Sequence, residues 1–522
     1  MTFTGTWYNR DCGVTLAADA GVTVTMTGAA AIAPNTGGGS NSYSGPGTFV
    51  LAGDASRRTA ASYLNSGVRV GIAVDDAFGP SSVTLYTYNG GVEIFAVGGA
   101  RSLASQFPLS GHAYSSYANR YTFSGSNDLT FTGNMGFWQT NGDTRLNVTS
   151  TGLVTLAGNL TGTLDAGRSV IKEGAGTLVM TGSNSAYTRN LQIDAGVLRA
   201  QDGTGLSPNC TLILNGGVLE ANGTFSRTLG TAGGQMRWLG GGFSAFGGAL
   251  TVDVNGDGAD NLTWGSTAGF VPNNSTLIFG STRADNAVTF VDNIALGDAN
   301  RTIAVADNAL SEFDKAVLSG QITGAGGLIK TGLGVLELDG DNTYSGDTLV
   351  SAGTLLVDGT TDNQRDYTIT AGATLGGDGA IGLAPEVGVD VSGTVSPGAS
   401  IGTLTAGTAG NSNTVTFADG SALLIEMNAL GNCDRLVVNG TLDLEADGDT
   451  LILTGEFSKG VLYTLATADT ILGQFNNVNS SALGRTLPVT YGPNSITIFI
   501  PEPTTLALAG GTLAALLMRR RR

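Results

Sequence analysis

The sequence repeats itself, and this repetition restricts the possible folds more than any other feature. Residues 171–200 and 329–357 align as two copies of a unit of about 30 residues. The matched positions are Ile171-Lys172 with Ile329-Lys330, Gly174 and Gly176 with Gly332 and Gly334, Leu178 and Met180 with Leu336 and Leu338, Gly182 and Asn184 with Gly340 and Asn342, Tyr187 with Tyr344, Ala195-Gly196 with Ala352-Gly353, and Leu198 with Leu355. A unit this short cannot enclose a core alone, so stacked units must bury one continuous apolar face.

Within each copy, apolar residues alternate over short runs that end at glycine or asparagine. Alternation with a period of two predicts a strand with one buried face, as in Thr177-Leu178-Val179-Met180 and Val335-Leu336-Glu337-Leu338. Weaker copies of this pattern occupy 153–158, 210–223, 276–280, 403–407 and 436–455. We therefore predict an all-β solenoid whose apolar columns run through Leu178, Met180, Leu336, Leu338 and Leu355. Several antiparallel sandwiches are the alternative.

Composition agrees with many short strands and excludes two other classes of protein. Glycine supplies 81 of 522 residues and charged residues only 13%, while 41% of the chain is hydrophobic, which is too much for a disordered chain. The net charge is −17, so a basic face for nucleic acid is not expected. Four of the 25 basic residues are Arg519, Arg520, Arg521 and Arg522.

Cysteine and histidine are too few for the sites that they commonly build. Cys12, Cys210 and Cys433 are far apart in the sequence, which argues against a disulfide framework. His112 is the single histidine, so histidine-rich metal sites and histidine-dependent catalysis are not expected, and we predict no cofactor. Residues 1–15 lack the pattern of a secretory signal peptide, and we expect the natural start to differ from Met1.

The repeat copies resemble a known family. Residues 168–200 and 322–359 are similar to the autotransporter-associated β-strand repeat, on motifs such as IKTGLGVLELDGDNTYSGDTLVSAGTLLV at 329–357. Residues 262–303 and 396–407 resemble segments that often precede and follow this repeat. The resemblance implies a right-handed parallel β-helix, or β-solenoid, exposed at the cell surface.

The C-terminal tail has three parts in a fixed order. Pro501, Glu502 and Pro503 precede an apolar run from Thr504 to Met518, which is followed by Arg519 to Arg522. The run predicts a short C-terminal transmembrane helix, and the arginines predict a cytoplasmic C-terminus. The tail resembles the PEP-CTERM sorting signal, although Ile500 stands where that family often has valine. This resemblance implies an exosortase-type processing enzyme as a partner and an inner-membrane-anchored precursor.

These patterns divide the chain into four predicted regions. They are a β-rich part over 1–150, solenoid repeats over 151–460, a terminal β segment over 461–499 and the sorting and anchor tail over 500–522.

One acidic loop is a weak candidate for calcium. Asp253, Asn255 and Asp257 occupy positions 1, 3 and 5 of an EF-type loop with Gly258 at position 6, and Asp260 adds a fourth oxygen donor. Position 12 is Trp264 rather than the required glutamate. A solvated turn is the simpler interpretation, and we predict no established metal site.

Candidate catalytic groups are weak as well. Ser400 lies in a G-x-S-x-G pattern, but the single histidine precedes it, whereas hydrolases of that type need it afterwards. Carboxylates cluster at Asp75-Asp76, at Asp339 and Asp341, and at Glu445, Asp447 and Asp449, as they also would by chance in an acidic chain. We therefore predict no catalytic residue.

The sequence as a whole predicts an exported structural or adhesive protein of the cell surface or extracellular matrix. Surface polysaccharide is a candidate partner, and the membrane is contacted through the tail. The alternatives are a carbohydrate-active β-helix enzyme and a carbohydrate-binding surface protein.

Overall fold

The computed structural model describes residues 1–4, 7–8, 14–28, 30–31, 40–55, 61–80, 84–88, 91–108, 119–138, 142–163, 166–256, 258, 260–480 and 487–501. Within these ranges every regular element is a β-strand. The chain forms two compact units. Unit 1 comprises Met1–Asp260, Gly265–Val288 and Asn308–Asp314, and unit 2 comprises Asn261–Trp264, Thr289–Asp307 and Lys315–Arg522.

The strands are numbered in chain order. Strands β1 to β27 are Thr2–Phe3, Trp7–Tyr8, Val14–Ala17, Thr23–Met26, Ala30–Ala31, Asn41–Ser44, Thr48–Leu51, Ser62–Asn65, Arg69–Ile72, Leu85–Tyr88, Val92–Ala96, Arg101–Leu103, Phe107–Pro108, Asn119–Ser124, Leu129–Phe131, Met135–Trp138, Thr144–Val148, Val154–Leu156, Leu160–Thr163, Ser169–Glu173, Thr177–Met180, Asn190–Ile193, Val197–Arg199, Gln201–Asp202, Gly205–Leu206, Thr211–Phe225 and Met236–Val252. Strands β28 to β54 are Asn261–Thr263, Leu277–Phe279, Val288–Phe290, Asn293–Ala295, Arg301–Val305, Ala316–Leu318, Ile322–Thr323, Leu328–Thr331, Val335–Leu338, Asp341–Asn342, Thr348–Val350, Thr354–Val357, Thr360–Gln364, Tyr367–Ile369, Thr374–Gly377, Ala380–Leu383, Gly388–Val391, Thr394–Pro397, Thr403–Ala406, Thr414–Phe417, Ala422–Met427, Arg435–Leu444, Thr450–Gly455, Leu462–Gly473, Asn477–Asn479, Val489–Tyr491 and Ser495–Phe499.

Unit 1 is a stack of coils in which each strand pairs in parallel with the corresponding strand of the next coil. Two interior columns of register partners run through it. The first consists of Tyr121, Leu146, Lys172, Ile193, Leu214 and Trp238. The second consists of Val154, Leu178, Leu198, Leu219, Phe243 and Phe279. Their side chains are all buried, so each coil is held by apolar contact with its neighbours.

Unit 2 is built in the same way. Its first column of register partners consists of Ile303, Lys330, Val350, Ile369, Val391 and Phe417. Its second column consists of Ala316, Leu336, Leu355, Leu375, Val395, Leu423 and Leu451. Among the described pairings of named strands, only those of β54 with β51 and β53 are antiparallel. The sandwich alternative is therefore wrong, because sandwiches pair their strands antiparallel.

The predicted apolar columns are confirmed. The exposed fraction of the side chains is 1% for Leu178, 2% for Met180 and 0% for Leu336, Leu338 and Leu355. The all-β parallel solenoid is thus confirmed, while the right-handedness that the resemblance implies stays a prediction. The four region boundaries also stay predictions.

The shared Ala-Gly pairs of the repeat have a steric cause. Gly196 and Gly353 adopt φ values of 63° and 66°, in the left-handed region that favours glycine. A Cβ atom on Gly196 would lie 2.4 Å from the carbonyl oxygen of Gly174, and one on Gly353 would lie 2.5 Å from that of Gly332. Any other residue would push the coils apart at this corner.

The last strands protect one edge of unit 2. Strand β54 runs antiparallel to β51 and buries Ile496 and Ile498, and the next residue but one, Ile500, is buried as well. The amide of Ile500 donates to the carbonyl of Val461 at 3.2 Å, and its carbonyl accepts from the amide of Gly460 at 2.6 Å. The antiparallel pairing occupies backbone groups that an open parallel edge would leave free.

Candidate functional site

The predicted sorting motif starts where the chain leaves the sheet. Ile500 is fully buried and hydrogen-bonded, and Pro501 is exposed. Glu502, Pro503, the apolar run and the arginines at 519–522 lie outside the described residues, so the transmembrane helix and the sorting motif stay predictions. No helix in the described ranges is long and apolar enough to cross a membrane.

In the candidate calcium loop, polar side chains make contacts within the loop itself. Asp253 Oδ1 accepts from the amide of Gly258 at 3.1 Å, and Asn255 Nδ2 donates to Asp260 Oδ2. Asp257 lies outside the described residues. The described part of the chain brings no three acidic, cysteine or histidine side chains into a metal-binding arrangement. The calcium site stays a prediction.

Ser400 lies in an exposed turn. Its Oγ accepts a hydrogen bond from the amide of Ile401 at 2.6 Å. The turn is fixed by Asp434, whose two carboxylate oxygens accept from the amides of Gly402 and Glu426 at 2.9 and 2.7 Å. Burial raises the pKa of Asp434 to about 6. His112 lies outside the described residues, so no pairing with Ser400 is described.

Three of the seven carboxylates that the sequence analysis weighed for acid–base chemistry join neighbouring coils. Asp75 and Asp76 accept from the amides of Ser102 and Ala104 at 2.9 and 2.6 Å. Asp341 Oδ1 accepts from Thr360 Oγ1 at 2.8 Å. In each case an acidic side chain at one coil satisfies a donor of the next coil, which is a structural task.

The most informative polar residues are two lysines in the interior columns. Lys172 and Lys330 are 1% and 0% exposed and occupy the same position in the two repeat copies. Each ammonium donates to three backbone carbonyls at the corner of the coil. The acceptors of Lys172 are Glu173, Gly174 and Ala195 at 2.8–2.9 Å, and those of Lys330 are Thr331, Gly332 and Ala352 at 2.8–3.0 Å.

An ammonium group has three donors and no acceptor, so this arrangement uses all of its hydrogen-bonding capacity. Burial lowers the pKa of Lys172 to about 7, against an opposing effect of Glu173, and lowers the pKa of Lys330 to about 8. We name these arrangements the lysine corners. Their role was not predicted, although a matched lysine in both copies of a chain with four lysines was a usable signal.

A row of residues on the outer side of the unit 1 strands leads into a cleft. Val179, Arg199, Glu220 and Ser244 are register partners on successive coils and alternate with inward-facing neighbours. They should therefore face solvent, yet Glu220 and Ser244 are fully buried. Residues 281–286 cover them, with Asn286 bridged to Ala245 in antiparallel fashion and Ser281 Oγ donating to Glu220 Oε1 at 2.6 Å.

The cleft opens beside this cover and has a volume of about 290 Å³. Arg199 Nε donates to Glu220 Oε2 at 2.5 Å, and Ser244 Oγ donates to Glu220 Oε1 at 3.1 Å. The Arg199 guanidinium carbon lies 3.2 Å from the centre of the Phe246 ring. Arg199 Nη2 is buried and has no hydrogen-bond partner in the described part of the chain. The amides of Gln201 and Asn222 line the same cleft and contact each other.

Comparison with protein families identifies the repeat. The Passenger-associated-transport-repeat model matches residues 170–200 and 328–357, which are the two copies with their lysine corners. These two segments are thus similar to a repeat of autotransporter passengers.

Two curated relatives share parts of the chain. An extracellular serine protease of Serratia marcescens is 34% identical over 173 residues, which are 31% of this chain and 16% of the protease. The adhesin BmaC autotransporter of Brucella suis biovar 1 (strain 1330) is 39% identical over 101 residues, which are 19% of this chain and 3% of the adhesin. The chain therefore spans a small part of each relative. These matches support an exported or cell-surface protein.

Among solved structures, the Hap adhesin of Haemophilus influenzae aligns with 94% of this chain and 64% of its own chain. The identity is 12% and the TM-score 0.25, a likeness too low to support a conclusion.

Proposed function

We propose that this chain is a structural or adhesive protein of the bacterial cell surface or extracellular matrix and that it has no catalytic activity. The observation that carries this proposal is the use of polar side chains in the stacked coils. The carboxylates of Asp75, Asp76 and Asp341 and the ammonium groups of both lysine corners satisfy backbone or hydroxyl partners between coils. These hydrogen bonds give the groups a structural role in joining the coils.

The relatives are compatible with this role and with an enzymatic one. One is an adhesin and one a serine protease, and each is matched over a small share of its length. The decisive assay incubates the purified chain with neutral and acidic polysaccharides and with casein. We expect no product, and we expect Ser400→Ala to leave every measured property unchanged. Release of oligosaccharides or peptides would support the enzyme alternative instead.

The second part of the proposal concerns sorting. We propose that an exosortase-type enzyme acts at or near Pro501-Glu502-Pro503 on a precursor held in the inner membrane by residues 504–518 with Arg519 to Arg522 on the cytoplasmic side. Strand β54 ends at Phe499, Ile500 is still hydrogen-bonded to the backbone of Gly460 and Val461, and Pro501 is exposed. The first residue of the motif is therefore accessible, as a processing enzyme requires.

Sorting is tested in a host that encodes an exosortase and in the isogenic deletion strain. We expect Glu502→Ala to leave the precursor in the membrane fraction, as the deletion strain does, and we expect removal of residues 519–522 to weaken retention. Glu456→Ala is the matched control, because Glu456 is an exposed glutamate of the folded part. Release of the Glu502→Ala chain at the parental rate would contradict the sorting proposal.

A further inference from the structure

We propose that the cleft beside Arg199 binds one ring of a neutral sugar, as a unit of a polysaccharide. The cleft is at the small end of the range for ligand sites, which is about 300–1,000 Å³. A volume of about 290 Å³ accommodates a single ring rather than a long segment. Most of its surface is apolar, with Val179 and Ala221 among the lining residues, and polar groups are few. This combination suits a ring that has apolar faces and a polar edge.

The charges of the cleft favour a neutral ligand. Arg199 is the one cation among the lining residues, and the fully buried Glu220 neutralises it at 2.5 Å. The other polar lining groups are hydroxyls and amides, such as those of Gln201 and Asn222. The whole chain has a net charge of −17, so its field repels anions. A uronate or a phosphate therefore gains little here.

One donor in the cleft requires an acceptor. Arg199 Nη2 has no hydrogen-bond partner within the described residues and lies against the Phe246 ring. A buried donor without a partner costs free energy, and a ligand oxygen that replaces this contact recovers it. Phe246 is half-buried at the edge of the cleft, and the proposal requires its ring to turn so that a hydroxyl oxygen reaches Nη2. The displaced ring is then placed to cover the apolar face of the sugar.

The guanidinium is held ready for this role by the residues behind it. Glu220 fixes Arg199, and Ser244 and Ser281 fix Glu220 through hydrogen bonds of 3.1 and 2.6 Å. Asn222 Nδ2 donates to the carbonyl of Phe246 at 3.1 Å, which fixes the backbone of the aromatic residue without involving its ring. A preorganised donor loses little entropy when the ligand binds.

A sugar bound in this cleft is the ligand of the proposed surface protein, so this inference rests on the proposed function. The test is independent of sorting, because it uses the purified full chain. Saturation-transfer NMR and titrations of up to millimolar concentration use glucose, galactose and N-acetylglucosamine as probes, with glucuronate as the anionic probe. We expect binding of at least one neutral sugar and weaker binding of glucuronate.

Variants connect the binding to the cleft. We expect Phe246→Ala and Asn222→Ala each to weaken binding about tenfold, which corresponds to about 1.4 kcal/mol. Tyr86→Ala is the matched control, since Tyr86 is a half-buried aromatic residue that stacks on Tyr63 and does not line the cleft. Absence of binding by all neutral probes, tighter binding of glucuronate, or full affinity of Phe246→Ala would overturn the proposal. None of these outcomes bears on tail processing, which is measured in cells.

Discussion

The two repeat copies share one corner and differ in what surrounds it. Lys172 and Lys330 each donate to three carbonyls, and burial lowers the pKa of both. In the first copy the next residue is Glu173, which forms ion pairs with Arg145 and Arg120. In the second copy Thr331 takes its place.

The buried tyrosines differ as well. Tyr187 donates to the carbonyl of Asn190 at 2.7 Å, whereas the hydroxyl of Tyr344 lies 2.8 Å from Thr348 Oγ1 and 3.4 Å from the hydroxyl of Tyr367. Residues that both copies share thus fix the corner of the coil, and residues that differ change its electrostatic surroundings. The predictions below separate these two effects, from the largest to the smallest.

The largest effect is expected from a charge inside either column. Leu178→Asp and Leu336→Asp should each lower the free energy of unfolding by about 4 kcal/mol, because each places an unpaired carboxylate among apolar side chains. Urea titration followed by far-ultraviolet circular dichroism measures the loss. Leu333→Asp, at a residue that is 74% exposed, is the control. A small loss for Leu336→Asp would contradict the interior column.

Loss of the ammonium should affect both copies alike. Lys172→Met and Lys330→Met keep most of the side-chain volume but leave three carbonyls without their donor, and we expect each to cost about 2 kcal/mol. The exposed Lys459→Met should change the urea midpoint little. A neutral outcome for both corner variants would mean that the carbonyls find other partners and that the corner does not need lysine.

The pH dependence should distinguish the copies. In the unfolded chain both lysines have the ordinary pKa of 10.5, so between about pH 7 and pH 10 the unfolded state binds more protons than the folded state. Stability from each lysine therefore rises with pH in this window, by up to ~1.4 kcal/mol per pH unit. Above about pH 10 the tyrosines act in the opposite sense, because burial raises the pKa of Tyr187 and Tyr344 well above 10.0.

Urea midpoints between pH 6.5 and 9.5 measure this rise as an order-of-magnitude effect. Lys172→Met should remove the part that begins near pH 7, and Lys330→Met should remove the part that begins near pH 8. Identical pH profiles for parent and variants would show that the lysines do not titrate in this range.

The smallest effect is expected from the residue that differs between the copies. Glu173→Gln should cost less than about 1 kcal/mol, because its partners Arg120 and Arg145 are 53% and 33% exposed. It should nevertheless lower the pKa of Lys172 further, since Glu173 opposes the effect of burial there. Lysine-detected NMR follows this change, with Lys330 as the internal control. A raised pKa of Lys172 would contradict this electrostatic account.

The alternation of apolar residues was sufficient to predict the strands and the apolar columns of the two repeat copies. Leu178 and Met180, or Leu336 and Leu338, are two residues apart and therefore share a face, which alternation alone predicts. The lysine corners were missed because a lysine within an alternating run is ordinarily read as outward-facing, and its acceptors are backbone atoms that the sequence does not distinguish.

The cleft was missed for a different reason. The partners of Glu220 include Arg199, one coil earlier, and Ser281, 61 residues further along the chain. Alternation correctly assigns Glu220 to the outer side of its strand, but it cannot show that residues 281–286 fold over that side. Such contacts depend on how a long loop packs, and local pattern does not encode it.

The claim that each repeat copy buries its lysine at a carbonyl corner is tested most directly by amine labelling of the folded chain. Acetic anhydride at pH 8, followed by peptide mass spectrometry, reports the modification of all four lysines separately. We predict rapid modification of Lys459, intermediate modification of Lys315, whose side chain is 39% exposed, and protection of Lys172 and Lys330 until the chain is denatured. Modification of Lys172 and Lys330 in the folded chain at the rate of Lys459 would contradict the account.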